Sequence, residues 1–153
     1  MPISEQYPAD LVHGFESGTW PASEFNHAAH VAVAAWYITD GDDALNQLRT
    51  SIPAYNISQG GENTTTAGYH ETLTTFWFHI ISDYLDTLPS CTPRLEAIQG
   101  AVAEFGSTPS LFRAYFNYDV VKSQDARREW TPPRVLPGTL QRWQAREQST
   151  VPA

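Results

Sequence analysis

Residues 68–88 read GYHETLTTFWFHIISDYLDTL, and this stretch decides the fold class. Tyr69, Leu73, Phe76, Trp77, Ile80, Tyr84 and Leu88 recur at spacings of three and four. At about 100° per residue they fall on one stripe, the mark of an amphipathic helix. The polar run SQGGENTTTA at 58–67 reads as the loop before it, with Thr66 placed to cap the helix.

Working outward, Asn26 precedes HAAHVAVAAWYIT at 27–39 and is a good N-cap. Val31, Val33, Ala34, Ala35 and Trp36 surround the axis of that helix, so it is expected at the centre of the fold. Leu11, Val12 and Phe15 mark a short helix from about Ala9 to Gly18. A third should run from Asp42 to about Ser51, stopped or kinked by Pro53. Thr92 and Pro93 open a helix to about Phe105, with proline at the first helical position. Leu111–Phe116 and Val120–Trp130 read as shorter helices. No repeat and no alternating strand pattern occurs. The expected fold is all-α, a compact single-domain helical bundle of about five to seven helices over residues 1–137. Residues 138–153 read as a Pro-rich C-terminal tail, wrapping or flexible.

The chain has 153 residues, enough for one domain with a real core. Nine Lys and Arg against seventeen Asp and Glu give a net charge of −8. That disfavours nucleic acid, which needs a cationic face to displace counterions from phosphates. Charged residues at 17% and aromatics at 12% describe a folded chain, not a disordered one. The charge is uneven. Residues 1–90 hold eleven acids and one base, Arg49, whereas residues 91–153 hold six acids and eight bases. Either the acids form a solvated face, or the C-terminal arginines fold back over the first half.

Cys91, the single cysteine, has no partner for an internal disulfide. No apolar run approaches the roughly 18 residues of a membrane helix. Residues 1–10 lack a basic segment followed by an apolar one, so no signal peptide is expected. The sequons at Asn56 and Asn63 are then chance matches, and the expectation is a soluble cytoplasmic protein without membrane contact.

Five histidines carry the chemistry to be weighed. His27 and His30 stand three apart in FNHAAH, on nearly one helix face, where two imidazoles can share an ion. His27 falls in the first turn, where the helix dipole disfavours protonation and keeps it a neutral ligand. The bland alternative is a pair of surface or capping histidines. His70-Glu71 opens the long helix, but position 74 is Thr, so the second ligand of a zincin motif is missing. His70 could be a core histidine or a third ligand. Glu71 could be a ligand, a general base or a favourable helix-terminus charge. Glu16, at the edge of the first helix's apolar face, is a fourth candidate ligand or an exposed charge. His13 and His79 lie off their stripes and receive no role.

The blocks FNHAAHVAVAAWYI and NTTTAGYHETLTTFW, with LFRAYFNYDVVKSQDARREWTPPRVLP, resemble a widespread family of small, largely uncharacterised α-helical proteins with HxxH and GYHET motifs. The resemblance spans about residues 11–137. It implies that His27, His30, His70 and Glu71 sit on motif positions, with Asn63, Thr74, Arg113 and Arg127 as lesser matches. It carries no assigned activity with it.

Three histidines and one or two carboxylates suit a divalent transition metal, zinc first and iron(II) next. Trp36, Tyr37, Tyr69, Phe76 and Trp77 could wall a substrate cavity, and Arg113 or Arg127 could hold an anionic substrate group. The leading expectation is a metal-dependent enzyme acting on a small organic molecule by acid–base or Lewis-acid chemistry, a lyase, isomerase or hydrolase step. In it Glu71 is the catalytic proton carrier, and His27, His30, His70 and Glu16 hold the metal. A non-heme iron(II) oxygenase with the same ligands is one alternative, and a non-catalytic helical binding module with structural histidines is another.

Overall fold

Asn26 caps its helix as the sequence requires, accepting a 2.9 Å hydrogen bond from the Ala29 backbone N–H. In the computed structural model, which describes residues 6–149, this helix is α2 (His27–Asp40). Before it lies α1 (Gln6–Ser17), and after it α3 (Ala44–Ser58), α4 (Glu71–Asp86) and α5 (Arg94–Phe105). Then come a short α6 (Gln124–Arg128) and α7 (Thr139–Ser149), with 3₁₀ turns at Ala22–Glu24, Leu111–Ala114 and Val120–Lys122. No strand occurs among the described residues. The protein is an all-α helical bundle, and none of its described helices is long and apolar enough to cross a membrane.

Because α2 is apolar around its whole perimeter, it sits in the middle and packs on α1, α3, α4 and α5. Ala29, Val31, Val33, Ala35 and Tyr37 are all buried there with Leu11, Phe15, Leu45 and Ile98. A second core gathers Phe76, Ile80, Phe112, Phe116, Val120 and Trp143. Helix α4 serves both, sending Phe78 and Ile81 to the first and Phe76 and Ile80 to the second. It therefore buries two faces, and not the single stripe its spacing suggests.

Three sequence expectations are corrected. Helix α3 continues through Pro53 to Ser58. Tyr55, buried beyond the proline, donates to the Trp20 carbonyl, and this tertiary contact outweighs the lost backbone bond. The cap of α4 is the His70 imidazole, not Thr66. Thr92 caps nothing, since Pro93 holds the N-cap position of α5 without a side-chain bond.

The segment expected as a tail is also different. Residues 139–149 form α7, whose Trp143 is 1% exposed and stacks parallel on the His79 ring at 4.7 Å. The Trp143 indole N–H donates to Asp83 at 2.9 Å, and Arg142 reaches the same carboxylate at 2.7 Å. Arg146 joins Asp83 and Asp86. Two C-terminal arginines thus fold back onto acids of the first half, the second of the two charge readings.

Candidate functional site

A cavity of about 430 Å³ opens between α2, α3 and the start of α4. Its walls are mostly apolar, with Val31 and Ala34 of α2, Ile52 of α3 and Leu73 and Trp77 of α4. His27, His30 and His70 all line it. The HxxH spacing and the first turn of α4 therefore meet at one place, as the shared face of α2 requires. No Asp, Glu, Lys or Arg lines this cavity among the described residues.

The three imidazoles differ in what they have left to offer. His70 is fully committed. Its Nδ1 accepts from the Leu73 N–H at 3.2 Å, which caps α4, so its proton lies on Nε2 and is donated to the Val120 carbonyl at 2.9 Å. His27 packs its ring against Trp77 at 4.7 Å, and its Nε2 is buried without a hydrogen-bond partner. Burial holds its pKa below the ordinary histidine value, opposed by a backbone bond with Phe105.

His30 stands one turn further along α2, edge-on to Phe25 at 4.3 Å. It lines the cavity and keeps exposed surface. Burial, and then the neighbouring His27, depress its pKa to about 4. Both histidines are neutral at pH 7.

Tyr69 is the other polar group on the wall. Its hydroxyl donates to Glu71 Oε1 at 2.6 Å, and burial, with the carboxylate second, pushes its pKa up. Glu71 itself does not line the cavity. Arg49 grips it at 2.8 Å, and Thr75 donates to it at 3.2 Å. The carboxylate expected as the proton carrier is saturated by three neighbours and reaches the cavity only through Tyr69.

The remaining expected site residues lie elsewhere. Glu16 is exposed, accepts from the Tyr37 hydroxyl at 2.8 Å and borders a separate groove between α1 and α3. Trp36 lies under the Arg94 guanidinium, 3.9 Å from its ring centroid. Arg113 is exposed, with its guanidinium 4.9 Å from the centroid of the Phe112 ring. Arg127 ties the Gly68 carbonyl to that of Val121, fastening the loop before α4. Of the substrate residues expected, Tyr69 and Trp77 alone reach the cavity. Neither arginine does, so among the described residues no cation lines the cavity to meet an anionic group.

Among the described residues, no three or more His, Cys, Asp or Glu side chains are placed to hold one metal ion. Sequence reasoning missed Phe25, Ile52, Asn56 and Thr74 as cavity walls. It also missed His79, fully buried, whose Nε2 meets Glu147 at 3.0 Å and whose Nδ1 meets Arg146. Those partners lie more than sixty residues away, beyond any local periodicity. No family model matches the chain, and no curated protein or solved structure shows significant similarity to it.

Proposed function

We propose that this protein is an enzyme for a small organic molecule, with the His27–His30 pair as the reacting wall of the α2–α4 cavity. One observation carries the reading. A buried ring nitrogen without a partner, on His27, stands one helical turn from a neutral histidine that faces a mostly apolar cavity. A buried polar atom left unpaired costs stability, and a catalytic role or a bound ligand, ion or water accounts for such an atom. Neutral imidazoles in these surroundings suit acid–base chemistry or the polarisation of a carbonyl.

The metal reading narrows to the same pair. His70 has no free nitrogen and Glu16 lies in another groove, so zinc or iron(II) would be held by His27 and His30 alone. A neutral imidazole with an uncommitted ring nitrogen is the form in which histidine ligates. Bound there, the ion would supply Lewis-acid chemistry with several positions left for water or substrate. In this reading Glu71 positions Tyr69 and carries no proton.

The test is zinc titration of tag-free protein followed by elemental analysis, on the parent and on His27→Ala, His30→Ala and Glu16→Gln. Stoichiometric binding lost in both histidine variants and kept in Glu16→Gln is expected. Equal zinc content in all four proteins would remove the metal, and a cavity that admits no organic probe would remove the enzyme.

A further inference from the structure

His79 on α4 is fully buried and takes no part in the cavity. Both of its ring nitrogens are committed to α7. Nδ1 stands 3.0 Å from an Arg146 guanidinium nitrogen, and Nε2 stands 3.0 Å from a Glu147 carboxylate oxygen. A guanidinium only donates, so Nδ1 accepts, and the ring's one proton lies on Nε2 and goes to Glu147. The docked arrangement is built for the neutral ring. A second proton would sit on Nδ1, where it would break the bond from Arg146 and set two cations against each other. Trp143 covers the ring face in parallel at 4.7 Å, so bulk water does not reach the ring while α7 stays docked.

The charges acting on His79 are Glu147 and Arg146 of α7 and Asp83 of α4 itself. Arg142 and Asp86 join the same network, pairing with Asp83 and Arg146. Burial works against the Asp83 carboxylate, but bonds from Arg142, Trp143 and Arg146 outweigh it and hold its pKa below the ordinary value. Asp83 therefore keeps its charge where histidine titrates. Trp130, the ring neighbour from the segment after α6, is uncharged, and Arg128 and Glu129 before it are exposed, 3.8 Å apart.

We propose that α7 is an acid-released latch, in which protonation of His79 expels Arg146 and undocks the helix while the core of α1–α5 stays folded. Two features make α7 the first element to leave. The larger core, around Leu11, Phe15, Val31, Leu45 and Ile98, draws its described residues from the first five helices and the segments among them. The helix itself is polar, TLQRWQAREQS, and of its residues Leu140 and Trp143 enter the second core. Once undocked, His79 regains the proton affinity of an exposed imidazole, about 6.5. Docking is thus full above that value and weakens as pH falls below it. Release bares the sides of Phe76 and Trp130 against which Trp143 packs. The latch lies apart from the α2–α4 cavity and stands whether or not that cavity is catalytic.

The experiment is hydrogen–deuterium exchange of the whole chain at pH 7.5 and pH 5, read by mass spectrometry and corrected for the intrinsic effect of pH. Protection of amides 139–149 should fall by up to about thirtyfold at pH 5, the worth of roughly 1.5 pH units below the exposed histidine value. Amides 27–40 should then be at least about tenfold better protected than those of α7. His79→Gln keeps an acceptor oxygen and a donating N–H but takes no proton, and its α7 should be equally protected at both pH values. Where that variant leaves α7 open at both, NMR titration of the His79 ring in the parent decides, since its protonation should coincide with opening. Undiminished protection of 139–149 at pH 5, or its loss in step with 27–40 to the same level, overturns the latch. An equal loss in His79→Gln, or a ring that protonates while α7 stays protected, overturns His79 as the trigger.

Discussion

Tyr69 donates its hydroxyl to Glu71 across 2.6 Å, yet the phenol lines the cavity and the carboxylate does not. Glu71 therefore acts on the site at second hand, by fixing the ring that the cavity touches. The two roles open to Glu71 separate in one variant. Glu71→Gln removes the negative charge beside Tyr69 while keeping an acceptor oxygen, and leaves burial, the first cause of the raised pKa, in place. Absorbance titration of the tyrosines should show the Tyr69 value falling toward ordinary phenol but remaining above it. Release of Arg49 and Thr75 should cost about 1–2 kcal/mol of stability in a urea titration. An unchanged tyrosine titration would mean that the contact has no electrostatic weight.

His70 should behave as a structural residue. His70→Ala loses the cap of α4 and leaves the Val120 carbonyl without its donor. Together these should lower stability by about 2–4 kcal/mol. His70→Asn keeps a capping oxygen and should recover about 1 kcal/mol of that loss. If both variants were as stable as the parent but unable to bind zinc, His70 would belong to a metal site after all.

Acid should loosen the fold earlier than its carboxylates require. His27, His30, His70 and His79 are all held below the ordinary value, with burial the largest cause in each. As pH falls through about 6.5, imidazoles of the unfolded chain take up protons that the folded protein refuses. Stability is therefore full above that value and declines until the folded value is reached, which for His30 is about 4. The melting temperature should be lower at pH 5 than at pH 7.5, and His30→Gln should flatten the slope between them. A parent protein whose melting temperature is level across that window would contradict the burial of these rings.

Trp143 should be the anchor of α7. It is 1% exposed, hydrogen-bonded to Asp83 and stacked on His79. Trp143→Ala should cost about 3–5 kcal/mol, the usual range for losing a buried aromatic. A loss under 1 kcal/mol, read by urea denaturation, would mean that α7 adds little to the fold.

What the sequence made legible follows the range of the forces involved. Asn26 and the perimeter of α2 could be read, because capping and periodicity act within one turn. So could the meeting of His27 and His30 at one place, since their spacing alone puts them on one face. Pro53 misled, because what holds α3 beyond it is Tyr55 bonding to Trp20, thirty-five residues earlier. His70 as a cap was hidden by rarity, imidazole being an uncommon N-cap beside the usual small polar residues. Helix α7 was hidden by its thin apolar pattern, Leu140 and Trp143, since its partners His79 and Asp83 sit far back in the chain. Glu71 shows the same limit in the site. Its neighbour Tyr69 was visible, but Arg49, twenty-two residues upstream, was not.

The span between Asp83 and Trp143 is sixty residues, and it sets an order of events during synthesis. When α4 leaves the ribosome, its two buried faces mature at different times. The face toward α2 and α3 finds partners already made, whereas His79, Asp83 and Phe76 wait for Trp143. Until then a growing chain presents an aromatic and acidic flank with its closing piece still untranslated. A stalled or prematurely terminated chain would carry that flank uncovered, a surface for chaperones or for other unfinished copies.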